Sequence, residues 1–199
     1  GKAHYYLGNL LYDLQPEKAI SHWEKARELD PRFAMVYRNL GWGYYRSADN
    51  VAKAIEAYEQ AINLASHDPR WFLELDNLYE RGNVDPARRL AMFEKNHQVV
   101  QKRKESLTRE IEVLVLNEKY DKAIDYLTNN FFHVREGGGE IHGIYVDAHL
   151  LKGLELMRAR RIDEALVHFQ KASEYPANLS VGRPKVDRRA PQVAYYIAT

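Results

Sequence analysis

The 199-residue chain contains no cysteine, which excludes disulfide staples, thiolate metal sites and thiol nucleophiles. It also lacks a charge bias, with 29 Lys and Arg against 28 Asp and Glu, so no global field draws it onto nucleic acid or an acidic membrane. No apolar run reaches the roughly 18 residues that cross a bilayer. The first residues already follow a helical pattern rather than the basic leader and apolar core of a secretory signal. A cytoplasmic chain is expected, with the periplasm left open. Ser and His are scattered, and the glycine run at 137–139 does not follow a strand as a phosphate loop requires. Neither enzymatic activity, a cofactor nor a metal is expected.

What the chain does have is 45% hydrophobic residues, including 12% aromatics, enough to bury about 70% of its extended surface. It also has a phrase used three times: Lys18-Ala19-Ile20, Lys53-Ala54-Ile55 and Lys122-Ala123-Ile124. Ala19, Trp23 and Ala26 return as Ala54, Tyr58 and Ala61 after a constant 35 residues, and Gly8 returns as Gly41 after 33. A period of that size is one helical hairpin. Small residues at matching sites let two helix backbones approach, while Trp23, Tyr58 and Phe169 fill the space beside them. Gln15-Pro16, Asp68-Pro69 and Asp85-Pro86 mark helix starts, Asp as cap and Pro in the first turn.

The pattern predicts hairpin units at about 1–31, 32–68, 69–96, 97–143 and 144–176, an irregular loop at 177–190 and a partial sixth unit at 191–199. From Ala123 to Ala165 is 42 residues, so about eight extra residues fall near 131–143. No Gly or Pro interrupts 87–133. The helix opening the fourth unit is therefore expected to run long, from about 97 to 117, with Lys102, Arg103 and Lys104 on its solvated face, where nearby Glu105, Glu110 and Glu112 cancel the charge. With no polar cap evident at either end, the stacking surfaces are expected to be covered by homodimerisation, or by the last helix folding back.

These residues resemble the tetratricopeptide repeat family: Leu7-Gly8, Ala19, Trp23, Ala26 and Pro31 in one copy, Tyr37, Leu40-Gly41, Tyr44, Ala54, Tyr58 and Ala61 in the next, and Gly153, Ala165, Phe169, Ala172 and Pro176 in the last complete one. The resemblance implies an all-α right-handed superhelix, an α-solenoid of about five hairpins plus a terminal helix. Its expected function is that of a non-catalytic scaffold binding a protein or peptide segment.

In that fold the first helix of each hairpin lines the concave face. The resemblance points to Tyr5, Asn9 and Tyr12 in the first unit, Arg38, Asn39, Trp42, Tyr45 and Arg46 in the second, and Phe72, Asp76 and Tyr79 in the third. Aromatic and Arg side chains are the usual interface hot spots. Trp42 is the sharpest candidate, with packing as core the competing reading. Asn9 and Asn39 match the two Asn of the carboxylate clamp that some members use for acidic C-terminal peptides. Tyr5 and Leu73 or Glu74 replace its cations, so that clamp is not expected.

The insertion offers a loop contact surface of His133, Glu136, Glu140, His142 and His149, read as an ordinary loop, a ligand-contacting loop or a metal site, its spacing being unlike a compact zinc motif. Phe132-His133-Val134-Arg135-Glu136 and Tyr175-Pro176-Ala177-Asn178-Leu179 are similar to segments of large bacterial repeat proteins that carry an upstream β-rich domain of unknown function, sometimes in carbohydrate-related settings. That resemblance implies an alternative: an accessory region whose loops, with Arg183 and Lys185, contact another domain of the same chain or a glycan.

Overall fold

The computed structural model describes residues 1–133 and 140–198. It is all-α, with no strand among the described residues. The chain divides into two compact units, Gly1–Ser106 and Leu107–Thr199.

The first unit holds α1 (Lys2–Leu11), α2 (Pro16–Leu29), α3 (Ala34–Arg46), α4 (Val51–Leu64), α5 (Pro69–Arg81) and α6 (Pro86–Val100). They pair as hairpins α1/α2, α3/α4 and α5/α6, and successive hairpins stack through α2 on α3 and α4 on α5. The starts are those that local chemistry dictates. The Asn50, Asp68 and Asp85 side chains accept from the backbone N–H of Lys53, Arg70 and Ala87 at 3.0, 2.9 and 2.7 Å, while Pro16, Pro69 and Pro86 open their helices. Such a cap contributes about 1 kcal/mol.

The hairpin turns share a device. Asp49, Asn83, Glu118 and Arg160 have φ of 45°, 51°, 59° and 59°. In all four the residue that follows donates its N–H back across the helix end: Asn50 to Tyr44 O at 2.9 Å, Val84 to Tyr79 O at 2.8 Å, Lys119 to Leu114 O at 2.9 Å and Arg161 to Leu156 O at 2.9 Å. This is the left-handed stop usually made with Gly.

In three hairpins an aromatic ring lies directly over a glycine. A Cβ on Gly8, Gly41 or Gly153 would stand under 3.0 Å from the ring of Trp23, Tyr58 or Phe169. The rings are only 3%, 1% and 2% exposed, so each plugs the space that the missing side chain leaves. The equivalent outer faces of α1 and α3 differ in cover. Val36, Leu40 and Gly43 of α3 are buried, with Ile20 and Trp23 of α2 packed at Gly43, whereas Leu7, Leu10 and Leu14 beside α1 are 44%, 78% and 85% exposed.

The helix expected across 97–117 is broken. After α6 the chain tightens, with Lys102 N–H bonding Val99 O at 3.1 Å and Arg103 N–H bonding Val100 O at 3.2 Å. A new helix, α7 (Lys104–Leu116), then begins. Burial of Val100, Ser106 and Leu107, with the Ser106 hydroxyl donating to Pro69 O at 2.7 Å, outweighs helix propensities worth only about 0.5 kcal/mol per residue. The basic triplet thus sits at a turn, where Arg103 pairs with Glu105 at 3.2 Å.

The second unit contains the rest of α7, then α8 (Tyr120–Asn129), α9 (Glu140–Arg158), α10 (Ile162–Lys171) and α11 (Ala190–Ala198). α9 and α10 form a hairpin, with α8 against α9 and α11 against α10. Val193 of α11 is buried and Tyr196 stacks on Phe169 at 5.3 Å, so the final helix is packed.

Candidate functional site

Side chains of α3, α4 and α5 line a cleft of about 290 Å³: Trp42, Tyr45, Tyr58, Glu74, Asn77, Leu78, Glu80 and Arg81. Arg38 crosses beside it and holds Glu74 through two hydrogen bonds, Nε to Oε2 at 3.0 Å and Nη2 to Oε1. A planar guanidinium on a carboxylate fixes both side chains. Trp42 is half-buried and carries a guanidinium at each end of its stripe, Arg38 at 5.7 Å and Arg46 at 5.6 Å from the ring centroid. Arg81 lies 5.1 Å over Tyr45. Trp42 therefore faces the cleft and does not belong to the hairpin core.

Tyr58 forms the unusual wall. It is 1% exposed, and its hydroxyl lies beside Glu74 and Arg38 without a hydrogen bond of normal length and angle to either. It stands near enough to Glu74 and Arg38 to feel their charges, and burial, then Glu74, pushes its ionisation well above the ordinary tyrosine range. The preceding hairpin treats its ring differently. There the equivalent ring, Trp23, donates its Nε1–H to Asn9 Oδ1 at 3.0 Å. The residue after the socket glycine is Asn9 in α1 but Trp42 in α3, and an indole offers no acceptor. A buried hydroxyl without a well-formed hydrogen bond costs about 1–3 kcal/mol.

The other expected groove residues fall into three groups. Asn9 and Asn39 come together, with Asn39 Nδ2 donating to Asn9 Oδ1 at 2.8 Å. The Trp23 bond fixes the orientation of Asn9, which leaves its own amide N–H groups turned away from both partners. Tyr12 is half-buried and tilts against Trp23 at 5.3 Å. Four residues are internal instead. Tyr5 is 9% exposed and packs on Phe33 at 4.9 Å. Phe72 is 0% exposed. Asp76, also 0% exposed, takes a bidentate Arg89 at 2.8 and 2.9 Å. Tyr79 is 3% exposed and its hydroxyl donates to Glu59 of α4 at 2.5 Å. The face of α5 that meets the cleft is Glu74, Asn77 and Arg81, one helical stripe, so side chains at 72, 76 and 79 point inward. The repeat carried the signal. A constant shift of 35 takes Trp42, Tyr45 and Arg46 to Asn77, Glu80 and Arg81.

In the second unit His133 is exposed and meets Phe131 edge-on at 4.9 Å. Glu136 and the side chain of Glu140 lie outside the described residues. His142 stacks on Tyr175 at 4.0 Å and bonds Glu174 O at 2.9 Å. His149 is 2% exposed and meets His168 Nδ1 to Nδ1 at 2.9 Å, and burial first, then the charges of His168 and Lys171, lowers its pKa to about 3. The two histidines are thus engaged within the protein rather than presented from a loop. Arg183 lies 5.4 Å over Tyr175 and bonds Ser173 O at 3.1 Å, while Lys185 is exposed. Among the described residues no three His, Asp or Glu converge as metal ligands, and no helix is long and apolar enough to cross a membrane.

Ring-over-glycine hairpins stacked in sequence, with one helix of each pair free to present side chains, define an all-α helical-repeat protein. No family model matches the chain. Among solved structures it is similar to YrrB, described as a TPR protein with an unusual peptide-binding site, at 18% identity and TM-score 0.58 over 85% of this chain and 82% of that one. It is also similar to the MamA protein, at 16% identity and TM-score 0.55 over 86% of this chain and 88% of that one. The chain has the tetratricopeptide-repeat fold.

Proposed function

We propose that the chain is a non-catalytic scaffold that binds an extended protein or peptide segment along the α1, α3 and α5 side of its first unit. The observation that carries this reading is the cleft at Trp42. An aromatic ring and four polar side chains, Arg38, Glu74, Asn77 and Arg81, converge on a concavity between α3 and α5, and Tyr58 packed over Gly41 fixes α3 against α4. Aromatic and Arg side chains bury large area at small entropic cost. The frame is fixed before binding, so a partner segment is ordered while the receptor loses little. The peptide-binding description of YrrB agrees with this reading. Asn9 and Asn39 extend the polar surface toward α1, where the outward N–H groups of Asn9 suit the carbonyls of a bound backbone.

Replacing Trp42 with Ala tests it. Affinity-purified wild-type protein from the native host is expected to retain a partner, identified by mass spectrometry, that the Trp42→Ala variant loses while its melting temperature stays nearly unchanged. Loss of capture and stability together would place Trp42 in the core and overturn the reading.

A further inference from the structure

The Tyr58 hydroxyl is a buried polar group aimed at a cleft and left without a well-formed hydrogen bond. Native proteins keep such orphans rarely, and one lining a recognition cleft calls for a ligand-bound arrangement that satisfies it. Two further facts state what chemistry that ligand has. Arg46 and Arg81 stand in the last turns of α3 and α5, each laid on an aromatic face, and neither has a carboxylate partner among the described residues. Arg38, the third guanidinium, pairs with Glu74, which itself sits beside the Tyr58 hydroxyl.

We infer that the Trp42 cleft takes an acidic residue of a partner polypeptide next to an apolar one, and that binding runs as an exchange of ion pairs. The inference rests on the peptide-binding reading above. The apolar side chain lies against Trp42, Tyr45 and Leu78. The incoming carboxylate meets Arg46 and Arg81 at the rim and draws Arg38 from Glu74. Glu74, released, accepts the hydrogen bond that Tyr58 does not form at normal length and angle in the free protein. One ion pair replaces another, two unpaired guanidiniums gain an anion, and one charge-assisted hydrogen bond is added. The gain exists only in the complex, so the hydroxyl favours binding while it weakens the free fold.

A random-peptide phage library selected on the wild-type protein and counter-selected on Trp42→Ala tests this. The expected survivors carry Asp or Glu beside an apolar residue. A synthetic survivor is expected to bind about tenfold more weakly when its acid is changed to the amide, and about tenfold more weakly to Arg81→Ala. Tyr58→Phe is expected to lose about tenfold in affinity while melting no lower than wild type. Survivors without acids, or unchanged affinity in Tyr58→Phe, would overturn the exchange and leave the groove reading standing. A selection yielding no peptide that depends on Trp42 would overturn both. Circular dichroism of Arg81→Ala, whose side chain is exposed, separates a binding loss from a folding loss.

Discussion

The hydroxyl of Tyr79 donates to the Glu59 carboxylate at 2.5 Å, and one repeat earlier Tyr44 does the same to Glu24 at 2.8 Å. Each bond runs from the first helix of one hairpin to the second helix of the hairpin before it, so the same latch closes both stacking interfaces of the first unit. Burial, then Glu24, pushes the Tyr44 ionisation up to about 12, and burial, then Glu59, pushes that of Tyr79 above the ordinary range.

Alkali should open these interfaces. A tyrosine whose pKa is raised by folding contributes stability that is complete below its unfolded pKa near 10 and is lost as pH climbs through the folded value. Helical circular dichroism is expected to hold to about pH 10 and decline toward 12, together with tyrosinate absorbance. In the Tyr44→Phe, Tyr79→Phe double variant the neutral-pH stability should fall by about 2 kcal/mol and the alkaline decline should become shallower. An unchanged decline would show that the latches do not set this limit.

The ring over Gly41 predicts a large cost for a single methyl group. Gly41→Ala should lose about 3 kcal/mol, since Tyr58 and the Ala54 carbonyl leave no space for a Cβ. Gly182→Ala is the control, because nothing lies within 4 Å of a Cβ there, and its chemical-denaturation midpoint should stay near wild type.

Asp76 and Arg89 pair at 0% and 6% side-chain exposure. Arg89→Ala leaves a buried carboxylate with its strongest partner removed and should cost about 3–5 kcal/mol in urea unfolding, whereas an Asp76→Leu, Arg89→Met pair should cost far less. Equal losses from both would mean that the charges are not what holds this hairpin.

Acid should weaken the second unit. His149, with a folded pKa of about 3, stays neutral in the fold while the unfolded chain binds a proton near pH 6.5. Its contribution is complete above about pH 6.5 and drains at up to about 1.4 kcal/mol per pH unit as pH falls toward 3. Amide hydrogen exchange in α9 and α10 is expected to accelerate over that window in wild type and to respond less in His149→Leu.

Much of this architecture was legible because spacing reports packing. Gly8 with Trp23, Gly41 with Tyr58 and Gly153 with Phe169 are pairs that only close helix contact explains, and Asp68-Pro69 and Asp85-Pro86 begin helices for purely local reasons. The turns were harder to see, since Glu118 and Arg160 adopt a left-handed φ without the Gly or Asn that signals it; tertiary packing imposes that geometry. The break at 101–103 was hidden for the same reason. Trp42, Arg38 and Tyr45 lie where the socket glycine Gly41 fixes the register. In α5 no glycine anchors the register, and Phe72, Asp76 and Tyr79 lie a third of a turn or more from the stripe of Glu74, Asn77 and Arg81 that meets the cleft. The Tyr58 hydroxyl, buried beside Glu74 and Arg38, depends on side chains brought together from three helices, which spacing along the chain does not report.

The residue that follows each socket glycine is Asn9, Trp42 or Leu154. The glycine and its ring join the helices in all three hairpins, so the next position changes chemistry from amide to indole to alkyl while the joint is kept. A chain built this way can acquire new binding preferences one substitution at a time, at the same address in each of these three hairpins, while its framework stays as it was.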